Sequence, residues 1–160
     1  MNSNTPATLK RLVISSAAYI VISLIAAAVA IQANLPAQPL GEGSGSGKPV
    51  LQDFLFGNGT AMSPGLPWLI AQAILTVLAF RKSWWGMVGV VGLILFGLLS
   101  GVFSLTEPIV REIYSPALFD PLKTLIEAGI ILLPFVMMVF GILEWRRRRR
   151  ENRNLRAIRE

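Results

Sequence analysis

From Trp84 to Leu105 no residue carries a charge. A run of about 20 apolar residues is what crosses roughly 30 Å of hydrocarbon. Inside lipid its backbone polar groups must pair within the segment, which only a helix allows. Three more apolar stretches accompany it, at residues 12–31, 64–80 and 122–143. The chain has 160 residues, 53% of them hydrophobic and 15% charged, whereas soluble domains carry about a quarter charged residues. One soluble core could not hide so much apolar surface. The expected fold is therefore an all-α integral membrane protein, a single membrane domain built as a four-helix transmembrane bundle. Short interfacial helices are expected in the external loops 32–63 and 106–121, and residues 144–160 form a basic cytoplasmic tail.

The charges orient these spans. Lys10 and Arg11 precede the first, Arg81 and Lys82 join the second to the third, and Arg146–Arg150, Arg153, Arg156 and Arg159 follow the fourth. Placed on one side, these regions hold 12 of the 15 basic residues. The other side keeps Lys48, Arg111 and Lys123 against six acids: Glu42, Asp53, Glu107, Glu112, Asp120 and Glu127. Basic residues in short loops stay in the cytoplasm, so both termini are expected inside a bacterial-type plasma membrane. An alternative reading makes the first span a secretory signal cleaved after Ala30 or Ala33. Its apolar run of about 20 residues is longer than the usual signal core of 7–15.

The chain contains neither Cys nor His. That removes disulfides, thiolate chemistry, and the commonest metal ligands and general bases. Asp53, Glu107, Glu112 and Asp120 show no ligand spacing, so catalysis, a cofactor and a metal site are not expected.

Within the spans, Ser15, Tyr19, Ser23, Ala27 and Ala30 recur at helical spacing as a packing face, since small residues let helices approach closely in lipid. The glycine- and serine-rich segment 41–47 reads as a flexible linker. After it, Val50, Leu51, Phe54 and Leu55 suggest a short helix begun by Pro49 and ended by Gly57, with Gln52 and Asp53 on its polar face. Asn58-Gly59-Thr60 reads as a turn rather than a glycosylation site. The second span is the short one, with Ser63 expected as its N-cap. Trp68 suits the outer interface and Trp84 and Trp85 the inner one. Gly97 and Gly101 form a GxxxG element that marks the third span as a packing centre, expected to face the bundle rather than a second copy. Asp120 is a candidate N-cap for the fourth span, and Pro134 should kink it.

Few polar residues lie inside the spans. Glu127, Gln72 and Thr76 form the candidate intramembrane polar site, Glu127 being the one carboxylate placed within a span. Near its outer boundary, Glu127 can either reach the interface beside Lys123 or face Gln72 across the bundle. Arg146, Arg147, Arg148, Arg149 and Arg150 are expected to contact anionic lipid headgroups at the cytoplasmic face, at about 1 kcal/mol per charge. Lipid is the expected partner, together with a membrane protein or a second copy of the chain; nucleic acid is not. The leading expectation is a structural, accessory or interaction component of the membrane. The alternative is a small transporter or channel subunit using Glu127, Gln72 and the Pro134 kink.

Overall fold

A computed structural model describes residues 5–38, 46–106 and 120–157. The chain is mostly helical. Its elements are α1 (Ala7–Gln32), α2 (Val50–Phe56), β1 (Gly59–Thr60), β2 (Ser63–Pro64), α3 (Leu66–Ala79), α4 (Trp84–Thr106) and α5 (Pro121–Ala157). Among the described residues α1, α4 and α5 are long and apolar enough to cross a membrane, while α3 is a shorter apolar helix. The expected interfacial helices of the second external loop fall on 107–119, and most of the glycine-serine linker on 39–45, outside the described residues.

The four longer helices run up and down as neighbours. Where Gly89 of α4 meets Leu75 and Ala79 of α3, Gly92 meets Leu75 and Trp68 reaches Ser100, so these two helices are antiparallel. Gly141 meets Ile94 and Gly97 meets Pro134 and Met138, which sets α5 antiparallel to α4. Thr8 bonds Glu144 and Ile22 meets Gly129, giving α1 and α5 the same relation. Helix α5 packs chiefly on α4 and α1, and α1 meets α3 along a shorter seam. The shared core contains Leu12, Tyr19, Val90, Leu93, Ile130 and Met137.

The packing face read from the first span is the buried one: Ser15, Tyr19, Ser23, Ala27 and Ala30, joined by Ser16 and Ala26. Helix α1 ends in a Schellman motif. Asn34 takes the left-handed conformation at φ 52°, the Leu35 N–H donates to the Ala30 carbonyl at 2.9 Å, and the Asn34 N–H to Ile31 at 3.2 Å. The chain is thereby turned toward the hairpin, where Pro36 bridges Thr60 and the Ala61 N–H donates to the Leu35 carbonyl. Strands β1 and β2 pair antiparallel, and Gly59 sits at φ 109° with the Ser63 and Pro64 backbone where a Cβ would go.

Two expectations need correction. Asp53 does not lie on an outer polar face: Val50, Asp53 and Phe54 are the buried side of α2, while Leu51 is exposed. The reason is the turn that follows, because Asp53 Oδ1 accepts the Asn58 N–H at 3.0 Å and fastens the start of the hairpin. Ser63 is not the N-cap of the second apolar helix. Its backbone is committed to β2, so the helix starts after Gly65, with Pro67 in the first turn and the span of 64–80 shortened to 14 residues. The fourth apolar stretch, by contrast, continues past Leu143 as its sequence suggests, in a 37-residue helix that carries on through the arginine run. Asp120 is its N-cap, Oδ1 accepting the N–H groups of Leu122 (3.0 Å) and Lys123 (3.3 Å).

Gly97 and Gly101 occupy the α4–α5 contact. A Cβ at Gly97 would stand 2.5 Å from the Pro134 carbonyl oxygen, and one at Gly101 would stand 2.8 Å from the Phe135 ring. The close-approach face of α4 is therefore filled by α5.

Candidate functional site

Beneath the hairpin, at the end of the helices away from the arginines, lies a cavity of about 520 Å³. Its walls come from α1 (Tyr19), α3 (Trp68), α4 (Ser100, Phe103, Ser104) and α5 (Glu127, Ile130), and its roof from residues 57–65. Asn58 and Phe103, both exposed, stand at its mouth. The roof is anchored by Met62, Thr60 and Ser63, which are buried.

Glu127 is 2% exposed and lines this cavity, so it faces inward rather than reaching out to the interface. Lys123, one turn earlier, places its Nζ 3.9 Å from Asp120. The Tyr19 ring is buried opposite, within interaction range of Ser23, Ser100 and Glu127. Trp68 donates its Nε1–H to Ser100 Oγ at 3.2 Å and packs on Phe96, ring centres 4.5 Å apart and tilted by 31°. That bond turns the indole into the cavity wall instead of leaving it only as an interface anchor.

Gln72 and Thr76 form a separate group one to two turns deeper along α3. Gln72, at 0% exposure, donates Nε2–H to Ser16 Oγ (2.9 Å) and to the Ser16 carbonyl (3.2 Å), and touches Met137 sulfur at 3.6 Å. Ser16 Oγ and Thr76 Oγ1 share a hydrogen bond of 2.7 Å, and Thr76 also donates to the Gln72 carbonyl at 2.8 Å. Met137 is ten residues from Glu127 along α5, about 15 Å of helix rise. The structure thus brings Gln72 to Thr76 but sets both at a different depth from Glu127. Between the cavity and the arginine end, Ser16, Gln72, Leu93, Met137 and Val90 form a fully buried layer.

A second polar cluster closes the opposite end. Glu144 is the first residue beyond the apolar run of α5 and is 0% exposed. Its Oε2 accepts from Thr8 Oγ1 (2.6 Å) and Arg147 Nε (2.9 Å), and its Oε1 from Arg147 Nη2 and Arg148 Nε (both 2.7 Å). Burial alone would raise this carboxyl, but hydrogen bonds from Arg147, Thr8 and Arg148 outweigh it and hold the group down at about 2. Arg148 then reaches across to α3, donating Nη2–H to the Ala79 carbonyl (2.6 Å) and Nη1–H to that of Arg81 (3.3 Å).

The five arginines accordingly divide. Arg147 and Arg148 turn inward to Glu144, while Arg146, Arg149 and Arg150 are exposed and, with Arg153, flank Trp145 around a groove of about 290 Å³. The Arg149 guanidinium lies 4.2 Å over the Trp145 ring. The Glu144 clasp was legible as an acid three and four residues before two arginines on one helix. Tyr19, Trp68 and Ser100 carried no such signal, since their meeting depends on the relative depth of three helices. Among the described residues no group of three or more acids could hold a metal ion. Comparison with protein-family models, curated proteins and solved structures gives no match for this chain.

Proposed function

We propose that the chain is a four-helix protein of a plasma membrane, with both termini in the cytoplasm, acting as an accessory component that presents an outward-facing cavity. In this reading α3 completes the fourth crossing. At 14 residues it spans about 21 Å; the β1–β2 hairpin extends it on the outer side and the arginine clasp on the inner. Charge supports the orientation, because Lys10, Arg11, Arg81, Lys82 and the arginine run gather at one end. At that face Arg146, Arg149, Arg150 and Arg153 contact anionic lipid headgroups, with Trp145 at the interface.

The observation that carries the accessory role is the buried layer under the cavity. Its polar members, Ser16 and Gln72, bond each other across α1 and α3, with half-buried Thr76 bonded to Ser16 beside them, and its apolar members are fully enclosed. A conduit needs polar groups facing one continuous path, and here Ser16, Gln72, Val90, Leu93 and Met137, all fully buried, lie between the cavity and the arginine end. The transporter alternative draws support from Glu127 in the cavity wall, but Gln72 and Pro134 are not among the lining residues. We propose no catalytic role.

Reconstitution into sealed vesicles tests this reading. The expected result is no protein-dependent movement of protons, alkali cations or small solutes. Flux that Glu127→Gln abolishes would overturn it in favour of transport. In intact cells a C-terminal tag should be reached by antibody only after permeabilisation, and labelling from outside would reverse the orientation.

A further inference from the structure

We propose that α5, just past its apolar run, carries a discrete binding site for a phospholipid bearing two phosphate groups, held by Arg146, Arg149, Arg150 and Arg153 beside Trp145. The inference rests on the reading of these arginines as lipid contacts and names the headgroup that they select.

Charge pattern is the first argument. Two stripes run along this part of α5 at helical spacing. One holds Glu144, Arg147, Arg148 and Glu151 and closes on itself: Arg147 meets Glu144 at 2.7 Å and Glu151 at 2.6 Å, and Arg148 meets Glu144 at 2.7 Å. The other holds Arg146, Arg149, Arg150 and Arg153, all exposed, and among the described residues no acid pairs with any of them. Like charges three and four residues apart repel one another on a helix. An anion laid along the second stripe relieves that repulsion.

Spacing is the second. A guanidinium binds phosphate through two parallel N–H groups. Arg146 and Arg149 form one pair, and Arg150 and Arg153 the next, about 6 Å further along the helix. Two phosphates on one short bridge meet both pairs together, the second contact being favoured by the first. A lipid with one phosphate leaves a pair unmatched. The Arg149 guanidinium already rests 4.2 Å over the Trp145 ring, so part of its side-chain freedom is lost before any ligand arrives. The groove lined by these residues measures about 290 Å³, just below the roughly 300–1,000 Å³ of sites that enclose whole small molecules. That is room for a headgroup whose chains lie elsewhere.

The third argument is where those chains lie. Leu132, Val136, Val139 and Leu143 are exposed and recur every three or four residues along α5. Their row runs on at the same spacing into Arg146, Arg150 and Arg153. A face that is apolar for about 16 Å and then cationic matches a molecule made of hydrocarbon chains joined to phosphates. A soluble diphosphate, an RNA or an acidic protein brings no such chains.

Native mass spectrometry of the full-length protein in detergent provides the test, with tetraoleoyl cardiolipin as the two-phosphate probe and dioleoylphosphatidylglycerol as the one-phosphate probe. One cardiolipin should bind saturably, at least tenfold tighter than phosphatidylglycerol compared at equal phosphate. The double variant Arg149→Gln, Arg153→Gln should abolish this preference. Replacing all four (Arg146→Lys, Arg149→Lys, Arg150→Lys, Arg153→Lys) keeps the charge but not the paired N–H groups, and should weaken cardiolipin at least fivefold. Lys82→Gln, which removes another exposed basic residue, should leave affinity within twofold. All the substituted side chains are exposed, so the packing of the bundle is left in place. Equal binding of the two lipids, unchanged affinity in the lysine variant, or an equal loss in Lys82→Gln would each overturn the proposal. So would displacement of cardiolipin by equimolar pyrophosphate, polyglutamate or an RNA oligonucleotide. Equal binding of the two lipids removes the two-phosphate ligand and leaves the plain headgroup contact of the accessory reading. Detergent has no inner or outer side, so flux in vesicles or a tail labelled from outside would remove the accessory reading and leave this result unaffected.

Discussion

Arg148 of α5 and Ala79 of α3 are joined by a 2.6 Å hydrogen bond, the guanidinium Nη2–H donating to the last carbonyl of α3. The last four carbonyls of a helix have no partner within it. In the proposed four-span arrangement this matters more than usual for α3, because a 14-residue helix would leave its end near the hydrocarbon boundary. Arg148 brings charged donors to that end and to Arg81, while the Glu144 carboxylate fixes the guanidinium from behind. Arg148→Met should therefore cost about 2 kcal/mol, the scale of a hydrogen bond to a charged group. Arg148→Lys should recover less than half of this, because one ammonium cannot span the three acceptors. Unfolding in detergent measures the loss, and trypsin should cut at Arg81 or Lys82 faster in the methionine variant. Equal stability and equal cleavage of all three proteins would contradict this role.

Acid should loosen the same end. Glu144 has its carboxyl held at about 2, below its ordinary value of 4.5. A depressed carboxyl stabilises the fold fully above the ordinary value and loses that contribution as pH falls from about 4.5 toward 2. By linkage the loss is on the order of 3 kcal/mol. Unfolding free energies measured from pH 7 to 2.5 should drop more steeply for the intact protein than for Glu144→Gln, and the two curves should converge at the acid end. Parallel curves throughout would show that Glu144 is not the group responsible.

Gly97 and Gly101 look equivalent in a GxxxG element, yet the structure distinguishes them. A methyl at Gly97 would meet the backbone oxygen of Pro134, which moves only if α5 moves. At Gly101 the obstacle is the end of the Phe135 ring, which can swing aside. Gly97→Ala is expected to destabilise by about 1–3 kcal/mol, as over-packing of a tight contact does, and Gly101→Ala by clearly less. Thermal unfolding of the two single variants in detergent checks the order. The reverse order would place the tightest helix approach elsewhere.

Much of this arrangement was legible in the sequence, and the exceptions share a cause. The helices of the first, third and fourth spans follow from long apolar runs, and Asp120 and Gly97 act locally as their types suggest. Ser63 and Asp53 were misread because both are governed by the hairpin, whose pairing joins residues 36, 59, 60, 63 and 64. Periodicity within one segment cannot register such pairing. The cavity is a stronger case. Glu127 stood out as an ionisable group in an apolar run, but Tyr19 read as part of a packing face and Trp68 as an interface anchor. Only the mutual depth of α1, α3, α4 and α5 turns those residues toward one space.

The Gln72 knot yields a prediction opposite to the usual expectation for a buried amide. Gln72 Nε2 is used by Ser16, but its Oε1 is buried with no hydrogen-bond partner among the described residues. Keeping such an acceptor dry costs about 1–3 kcal/mol. The bond it accompanies is worth less, since interhelical hydrogen bonds in membranes average about 0.6 kcal/mol. Gln72→Leu, of similar volume, should thus leave stability within about 1 kcal/mol of the intact protein or raise it. Ser16→Ala should be the worse change, because it deprives both Gln72 Nε2 and Thr76 Oγ1 of the same hydroxyl. Unfolding of both single variants and of the double variant gives the coupling directly. A loss above about 3 kcal/mol for Gln72→Leu would mean that Oε1 has a partner the helices depend on.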